Sequence, residues 1–141
     1  MFDQIIWKKM ISYRKKIGAQ NQIFKNSSYY ATLLIRAIHL GNYAVVEELL
    51  KGGATSSINR TVYNTDGFST DRWRGDSYWR PLHVAAALGR KDIAKLLLSY
   101  GADKNLTTTM LTRDGKSNSL DAYDVASQSE EYGTLSAIQD Y

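Results

Sequence analysis

One helical pattern occurs twice in this chain, and this internal repeat constrains the fold more than any other feature of the sequence. The segment TLLIRAIHLGNYAVVEELLKGGA, residues 32–54, aligns without gaps with RPLHVAAALGRKDIAKLLLSYGA, residues 80–102, at an offset of 48 residues. Each copy has the pattern of a short helix, a glycine turn, a second helix with one apolar stripe and a glycine that ends it. Units of this kind bury their apolar faces by stacking on one another, which predicts a helical solenoid.

The second copy resembles an ankyrin repeat in its motif residues. The sequence RPLHVAAALGRKDIAKLLLSYGADKN, residues 80–105, follows the hallmark T-P-L-H-x-A-A, glycine turn, apolar helix and G-A-D-x-N. It departs from the hallmark at Arg80, which replaces the threonine. The first copy keeps the threonine as Thr32 but has leucine and isoleucine in place of proline and histidine. A third, weaker copy begins at DAYDVASQSEEYGTLSAI and is typical of a terminal repeat with a modified outer face.

This resemblance implies an all-α fold: an ankyrin-repeat solenoid of about three helix-turn-helix repeats, with extended inter-repeat hairpin loops and an N-terminal capping helix. It also implies that His83, the hallmark histidine, makes a hydrogen bond between repeats. Apolar residues at helical spacing near the N-terminus favour a basic amphipathic capping helix and linker in residues 1–29. We expect an ankyrin-repeat domain over residues 30–141, with repeats at about 30–54, 80–105 and 120–141 and an insertion at 55–79.

The insertion is the part of the sequence that the repeat does not explain. An ankyrin repeat has about 33 residues, so the offset leaves about 15 extra residues in the inter-repeat hairpin. Tryptophan, tyrosine and arginine are concentrated there, and these residues dominate binding hot spots because they bury large areas with few torsions. We expect contact with a partner; the alternative is that the aromatic side chains only pack the loop onto the repeats. The candidate residues are Tyr63, Phe68, Arg72, Trp73, Arg74, Tyr78, Trp79 and Arg80.

Two further features of the hairpins bear on this prediction. The next inter-repeat hairpin is also long, and it has a D-G turn signal at residues 114–115. The tripeptide Arg74-Gly75-Asp76 is interpreted as a turn with arginine–aspartate pairing and not as an adhesion motif, because a given tripeptide often occurs by chance.

The family resemblance implies a binding function. Ankyrin repeats bind proteins through their hairpin tips and through a concave face made by the first helices. On the concave face we expect Arg36, His39 and Leu40, or Ala87 and Leu88. The predicted function is a non-enzymatic interaction module that binds, and inhibits or tethers, one protein partner. Replacing the insertion by a short hairpin should then leave folding intact and remove binding.

Chemistry at a catalytic or metal site is not expected. The chain has two histidines at non-equivalent repeat positions and no cysteine. Motifs for paired metal-binding histidines, a nucleophile elbow or a phosphate-binding glycine loop are missing from the sequence. We therefore predict no enzyme activity, no catalytic residue, no cofactor and no metal.

The charge distribution leaves alternative partners open. The formal net charge is +4, and residues 1–25 contain six basic residues and one acidic residue. A peripheral adaptor could use these charges to bind anionic membrane or nucleic acid. We favour a protein partner, because charge on the outer face of a packed helix is ordinary solvation. A microbial or viral effector, or a toxin-immunity protein, is a third possibility. The basic residues concerned are Lys8, Lys9, Arg14, Lys15 and Lys16.

The expected location is the cytoplasm. No apolar stretch approaches the ~18 residues of a membrane span. The N-terminal residues do not have the uninterrupted apolar region of a secretory signal peptide, and a cysteine-free composition suits a reducing compartment.

Overall fold

The computed structural model describes residues 28–63 and 69–141, and helices dominate this part of the chain. The predicted capping helix in residues 1–29 falls almost wholly outside the described residues. Three pairs of helices follow one another: α1 (Ser28–His39) with α2 (Tyr43–Lys51), α3 (Pro81–Leu88) with α4 (Lys91–Ser99), and α5 (Ala122–Gln128) with α6 (Tyr132–Asp140).

The six helices form two rows. The first helices α1, α3 and α5 pack side by side in one row, and α2, α4 and α6 form the second row behind it. Aliphatic side chains of both rows make one continuous core, in which Leu34, Leu50, Ala86 and Leu97 are almost completely buried. This helical stack confirms the predicted fold class. No helix in residues 28–63 and 69–141 is long and apolar enough to cross a membrane.

The same backbone turn joins the two helices of each repeat. Gly41, Gly89 and Glu130 occupy the left-handed region, with φ of 71°, 69° and 59°. Glycine adopts this conformation without a steric penalty, whereas a residue with a side chain is strained by about 1–2 kcal/mol. In every turn the next N–H group bonds back to an alanine carbonyl at 2.9 Å: Asn42 to Ala37, Arg90 to Ala85, and Glu131 to Ala126.

Side chains that follow these turns link neighbouring repeats. Arg90 Nη2 donates a hydrogen bond of 2.9 Å to the His39 carbonyl, and its guanidinium covers Gly41, where a Cβ atom would lie 3.0 Å from Cζ. Glu131 covers Gly89 in the same way, and a Cβ atom there would overlap its carboxylate. These two glycines are therefore required both for their φ angle and for the space they leave.

His83 links the second repeat to the third. Its ring is buried, and Nε2 donates a hydrogen bond of 2.9 Å to the Leu120 carbonyl. Burial lowers the pKa of His83 to about 4, although the bond to Leu120 acts in the opposite direction. The neutral ring is thus part of the core, and the inter-repeat hydrogen bond implied by the family resemblance is confirmed.

A small antiparallel sheet forms the hairpin between the second and third repeats. Strand β1 (Thr108–Leu111) pairs with β2 (Ser117–Leu120). The ends of the register are Thr108 opposite Leu120 and Leu111 opposite Ser117. The connecting loop contains the predicted D-G turn, with Gly115 at φ 87°. The Thr112 N–H group bonds back to the Lys116 carbonyl at 3.0 Å, so residues 113–115 form a three-residue tip with glycine in the left-handed region, which is a common hairpin connection.

The insertion adds an irregular strand to the other edge of β1. The Arg74 N–H group donates to the Leu111 carbonyl at 2.8 Å, and the Tyr78 N–H group donates to the Thr109 carbonyl at 2.9 Å. Between these bonds the chain bulges, and the Ser77 hydroxyl accepts from the Leu111 N–H group at 2.8 Å. We call the assembly of residues 59–63, 69–80 and 107–120 the hairpin platform.

Candidate protein-binding surface

Two tryptophans fasten the hairpin platform to the helical stack. The Trp73 side chain is 0% exposed, and its Nε1 donates to the Ser129 hydroxyl at 2.9 Å; Trp79 is 1% exposed, and its Nε1 donates to the Gly75 carbonyl at 3.3 Å. Both rings thus gain the energy of apolar burial without leaving an indole N–H unpaired. This burial corrects the expectation that Trp73 and Trp79 contact a partner, since a side chain inside the core is out of a partner's reach.

Arg80 connects two segments of the platform by hydrogen bonds. Its Nε and Nη2 donate to the Thr107 carbonyl at 3.2 and 3.0 Å, and its Nη1 donates to the Asn59 carbonyl. These bonds join the start of the insertion to the following hairpin at the position where the family hallmark has threonine. Arg80 thus has a structural role that its assignment as a partner contact did not include.

Arg72 and Arg74 of the insertion lie at the surface. Arg72 is exposed, lies 5.3 Å from the Trp73 ring centroid, and donates from Nη2 to Gln128 Oε1 at 2.9 Å. Arg74 makes a bidentate pair with Asp76, at 3.0 and 2.9 Å. The hydrogen bond from Arg74 lowers the pKa of Asp76. The predicted turn with arginine–aspartate pairing is confirmed, and both guanidiniums are held in place on the platform.

Two exposed tyrosines lie together at the edge of the platform. Tyr63 is 56% exposed and Tyr78 is 43% exposed, and their ring centroids are 4.5 Å apart. Each tyrosine neighbours a fixed residue, because Val62 and Trp79 exchange backbone hydrogen bonds of 2.7 and 2.9 Å. The Thr108 hydroxyl also donates to the Tyr78 carbonyl at 2.6 Å. The chain thereby presents two large aromatic rings from an ordered backbone.

Small hydroxyl side chains extend this surface across the sheet. A shallow groove of about 250 Å³ runs from Tyr78 along residues 107–109 to Ser119. These residues were not predicted from the sequence, because short hydroxyl residues are ordinary in hairpins. The run of three threonines beside the D-G turn is the signal that could have indicated them, because β-branched residues next to a turn favour a strand.

The concave-face candidates lie on the first helices. Arg36 is exposed and His39 is half-buried, both on α1. Burial, followed by the nearby charges of Arg90 and Arg36, lowers the pKa of His39. Ala87 on α3 is buried, which corrects its expected role, and Leu88 is half-buried. Arg90 was not predicted from the sequence. Its hydrogen bond to the His39 carbonyl holds its guanidinium beside the end of α1.

The last two predictions concern Phe68 and a metal site. Phe68 lies outside the described residues. In residues 28–63 and 69–141, no group of three or more histidine, cysteine, aspartate and glutamate side chains is placed to hold a metal ion.

Comparison with known proteins identifies the family. A family model of ankyrin repeats in three copies matches residues 5–108. Because this match covers more than half of the sequence, the chain belongs to the ankyrin-repeat family. Ankyrin repeats are protein-interaction modules and are generally non-catalytic.

Similar proteins include two that contain much more than the matched segment. The chain is 35% identical to mouse 2-5A-dependent ribonuclease over 86 residues, which is 61% of this chain and 9% of the ribonuclease. It is 32% identical to human protein phosphatase 1 regulatory subunit 27 over 74 residues, which is 52% of this chain and 46% of that protein. The matches thus span less than half the length of either relative.

Proposed function

We propose that this chain is a non-enzymatic regulator or tether that binds one protein partner through the hairpin platform. The paired rings of Tyr63 and Tyr78 form the centre of the contact. The observation that supports this most strongly is their exposure, 56% and 43%, on a backbone that is hydrogen-bonded on both sides. Tyrosine is enriched in binding hot spots because its ring buries a large area and its hydroxyl can find a polar partner.

The rigidity of the platform supports the same proposal. The buried Trp73 and Trp79 rings hold the backbone that carries the tyrosines, so little conformational entropy is lost when a partner binds. Without these anchors, a loop of this length would have to become ordered during binding. The extra residues of the hairpin therefore serve two separate roles: the tryptophans position the segment, and the tyrosines meet the partner.

The contact extends to the concave face at α1. Arg36 and Arg90 give this end of the stack a basic character that an acidic group of the partner would complement, and His39, whose pKa is lowered, adds a neutral ring. Arg36→Ala should therefore weaken binding less than loss of the tyrosines does, because a single charged group at the rim of an interface contributes little. Titration calorimetry with the captured partner measures this difference, and an unchanged affinity would limit the interface to the platform.

A regulatory outcome of binding fits one of the similar proteins. That relative is, by its name, a regulatory subunit of protein phosphatase 1. We propose that this chain likewise masks, inhibits or tethers its partner, and that it does so in the cytoplasm. Affinity capture identifies the partner directly.

The proposal is tested by affinity capture from a lysate of the source organism, with mass spectrometry of the captured proteins. The test variant is the double substitution Tyr63→Ala, Tyr78→Ala, and the matched control is Tyr132→Ala. Tyr132 is 62% exposed but lies on α6, away from the platform residues. A protein captured by the native chain and by the control, but not by the double variant, supports the proposal; equal capture by all three contradicts it.

A further inference from the structure

A polar groove separates the insertion from the following hairpin. It has a volume of about 510 Å³, within the range of ligand-sized sites. Its walls come from three parts of the chain: the insertion, the β1–β2 hairpin and the end of α5. The lining residues are Asp71, Arg72, Thr112, Arg113, Asp114, Lys116, Asn118 and Gln128.

The charges of this groove favour an anion. Arg72 approaches it from the insertion, and Arg113 and Lys116 approach it from the β1–β2 hairpin, against the carboxylates of Asp71 and Asp114. The Asp114 carboxylate is already used in the hairpin turn, where it accepts from the Thr112 hydroxyl and from the Lys116 N–H group. The hydrogen bond from Thr112 contributes most to the lowered pKa of Asp114. Asp114 therefore stays ionised, and the three cations still outnumber the two carboxylates of the groove, so its net charge is positive.

Hydrogen bonds fix the two arginines at the walls of the groove. Arg72 Nη2 donates to Gln128 Oε1 at 2.9 Å, and Arg113 Nη1 donates to the Thr70 carbonyl at 3.1 Å. Each guanidinium has five N–H donors, so one such bond positions the group and leaves donors to bind a carboxylate. Lys116 is exposed at the hairpin end and adds a third positive charge.

We infer that this groove binds an acidic segment of the protein partner, in which aspartate or glutamate side chains meet Arg72, Arg113 and Lys116. The inference rests on the proposed function and names the chemistry of the segment that is bound. The groove is part of the hairpin platform that carries the tyrosines, since all its lining residues except Gln128 belong to the platform. A partner segment in the groove would supply charge complementarity beside the aromatic contact.

The experiment uses the whole chain, labelled with ¹⁵N, and a defined probe peptide. The probe is an N-acetylated, C-amidated peptide of alternating glutamate and alanine, and its control is the glutamine–alanine peptide of the same length. The test variant is Lys116→Glu, and the matched control is Lys95→Glu. Lys95 is exposed on α4 and lines a different groove, so both variants change the net charge equally.

The expected result is specific to the acidic peptide. It should shift the amide signals of residues 112–118 and the Arg72 and Arg113 side-chain signals, and the neutral peptide should not. Lys116→Glu should weaken binding about tenfold, because an attractive charge becomes repulsive, while Lys95→Glu should change it less than twofold. Raising the salt concentration from about 50 to 500 mM should also weaken binding, because the ionic atmosphere screens exposed charges.

Three results would overturn the inference: no shift with the acidic peptide, equal losses in both lysine variants, or shifts of the groove signals by inorganic phosphate but not by the peptide. The tyrosine variants separate this failure from that of the proposed function. If Tyr63→Ala, Tyr78→Ala abolishes partner capture and Lys116→Glu leaves it intact, the tyrosine pair binds the partner and the groove does not.

Discussion

The helical stack and the hairpin platform of this protein are stabilised in different ways. In the stack, aliphatic side chains pack between regular helices, and the same turn and capping hydrogen bonds recur from repeat to repeat. In the platform, long-range polar bonds predominate: Arg80 to Thr107, Trp73 to Ser129, and Arg72 to Gln128. The described residues of the platform are held in place by specific contacts, as those of the helical stack are. The platform contacts, however, do not follow from the repeat pattern of the sequence.

The two regions meet at the tryptophans, and the largest predicted effect lies there. Trp73→Ala should lower the free energy of unfolding by about 3–5 kcal/mol, because it opens a cavity in the core and removes the bond to Ser129. Urea denaturation followed by circular dichroism measures this loss. Trp73→Phe is the control, since it keeps an aromatic ring and should lose clearly less.

This prediction revises an expectation drawn from the sequence alone. The insertion was expected to be replaceable by a short hairpin without loss of folding. Trp73 and Trp79 belong to the core, so a replacement that removes them should destabilise the stack as well. A loss below about 1 kcal/mol in Trp73→Ala would show that the platform is only a surface attachment.

The second-largest effect concerns pH and the buried His83. Unfolded histidine has a pKa of about 6.5, whereas His83 in the folded chain has a pKa of about 4. Below pH 6.5 the unfolded chain takes up a proton that the folded chain does not, so stability is full above pH 7 and falls as the pH drops toward 4. The loss at pH 4 should be about 3 kcal/mol, since one pKa unit is worth about 1.4 kcal/mol.

Urea unfolding at pH 7.5 and at pH 4.5 measures this effect. Arg80, whose charge lowers the pKa, and Asp121, whose charge raises it, are the charged groups that act on the ring. His83→Gln is the control, because it removes the titrating group and should flatten the pH dependence between these values. The same pH dependence in both chains would mean that the carboxylates, and not His83, are responsible.

A smaller effect is expected at the turn of the third repeat. Glu130 has φ 59° where the first two repeats have glycine. Glu130→Gly should raise the free energy of unfolding by about 0.5–1 kcal/mol, because relief of the strain is partly offset by the greater freedom of glycine in the unfolded chain. Thermal unfolding detects the gain. Gly89→Ala is the opposite control and should destabilise the chain, through its φ angle and through the overlap with Glu131.

The smallest effect on stability is expected at the exposed tyrosines. Tyr63→Ala, Tyr78→Ala should change the free energy of unfolding by less than about 1 kcal/mol, because both residues lie at the surface and neither ring fills a buried site. Urea denaturation beside the native chain tests this. A larger loss would mean that the ring pair is a structural element of the platform, which would remove the contrast with the tryptophans.

Sequence reasoning succeeded where residues repeat and failed where they do not. The glycine turns, the role of His83 and the helix pairs follow from motif positions that recur along the chain. Which residues of the insertion are buried could not be predicted in this way. Trp73 and Tyr78 are both residue types that are enriched in binding hot spots, and only the fold buries Trp73 and exposes Tyr78. Arg80 was assigned to partner binding because arginine is common in binding hot spots, whereas in the structure it joins two segments of the platform by hydrogen bonds to the Thr107 and Asn59 carbonyls.

The central claim is that a partner binds the hairpin platform and not the second row of helices, which consists of α2, α4 and α6. Hydrogen exchange with mass spectrometry, on the protein alone and with its captured partner, tests this directly. The account predicts slower exchange in residues 59–63, 72–80 and 108–119 on binding, with no change in α2 (Tyr43–Lys51) or α4 (Lys91–Ser99). Protection confined to α2 and α4, with an unchanged platform, would contradict it.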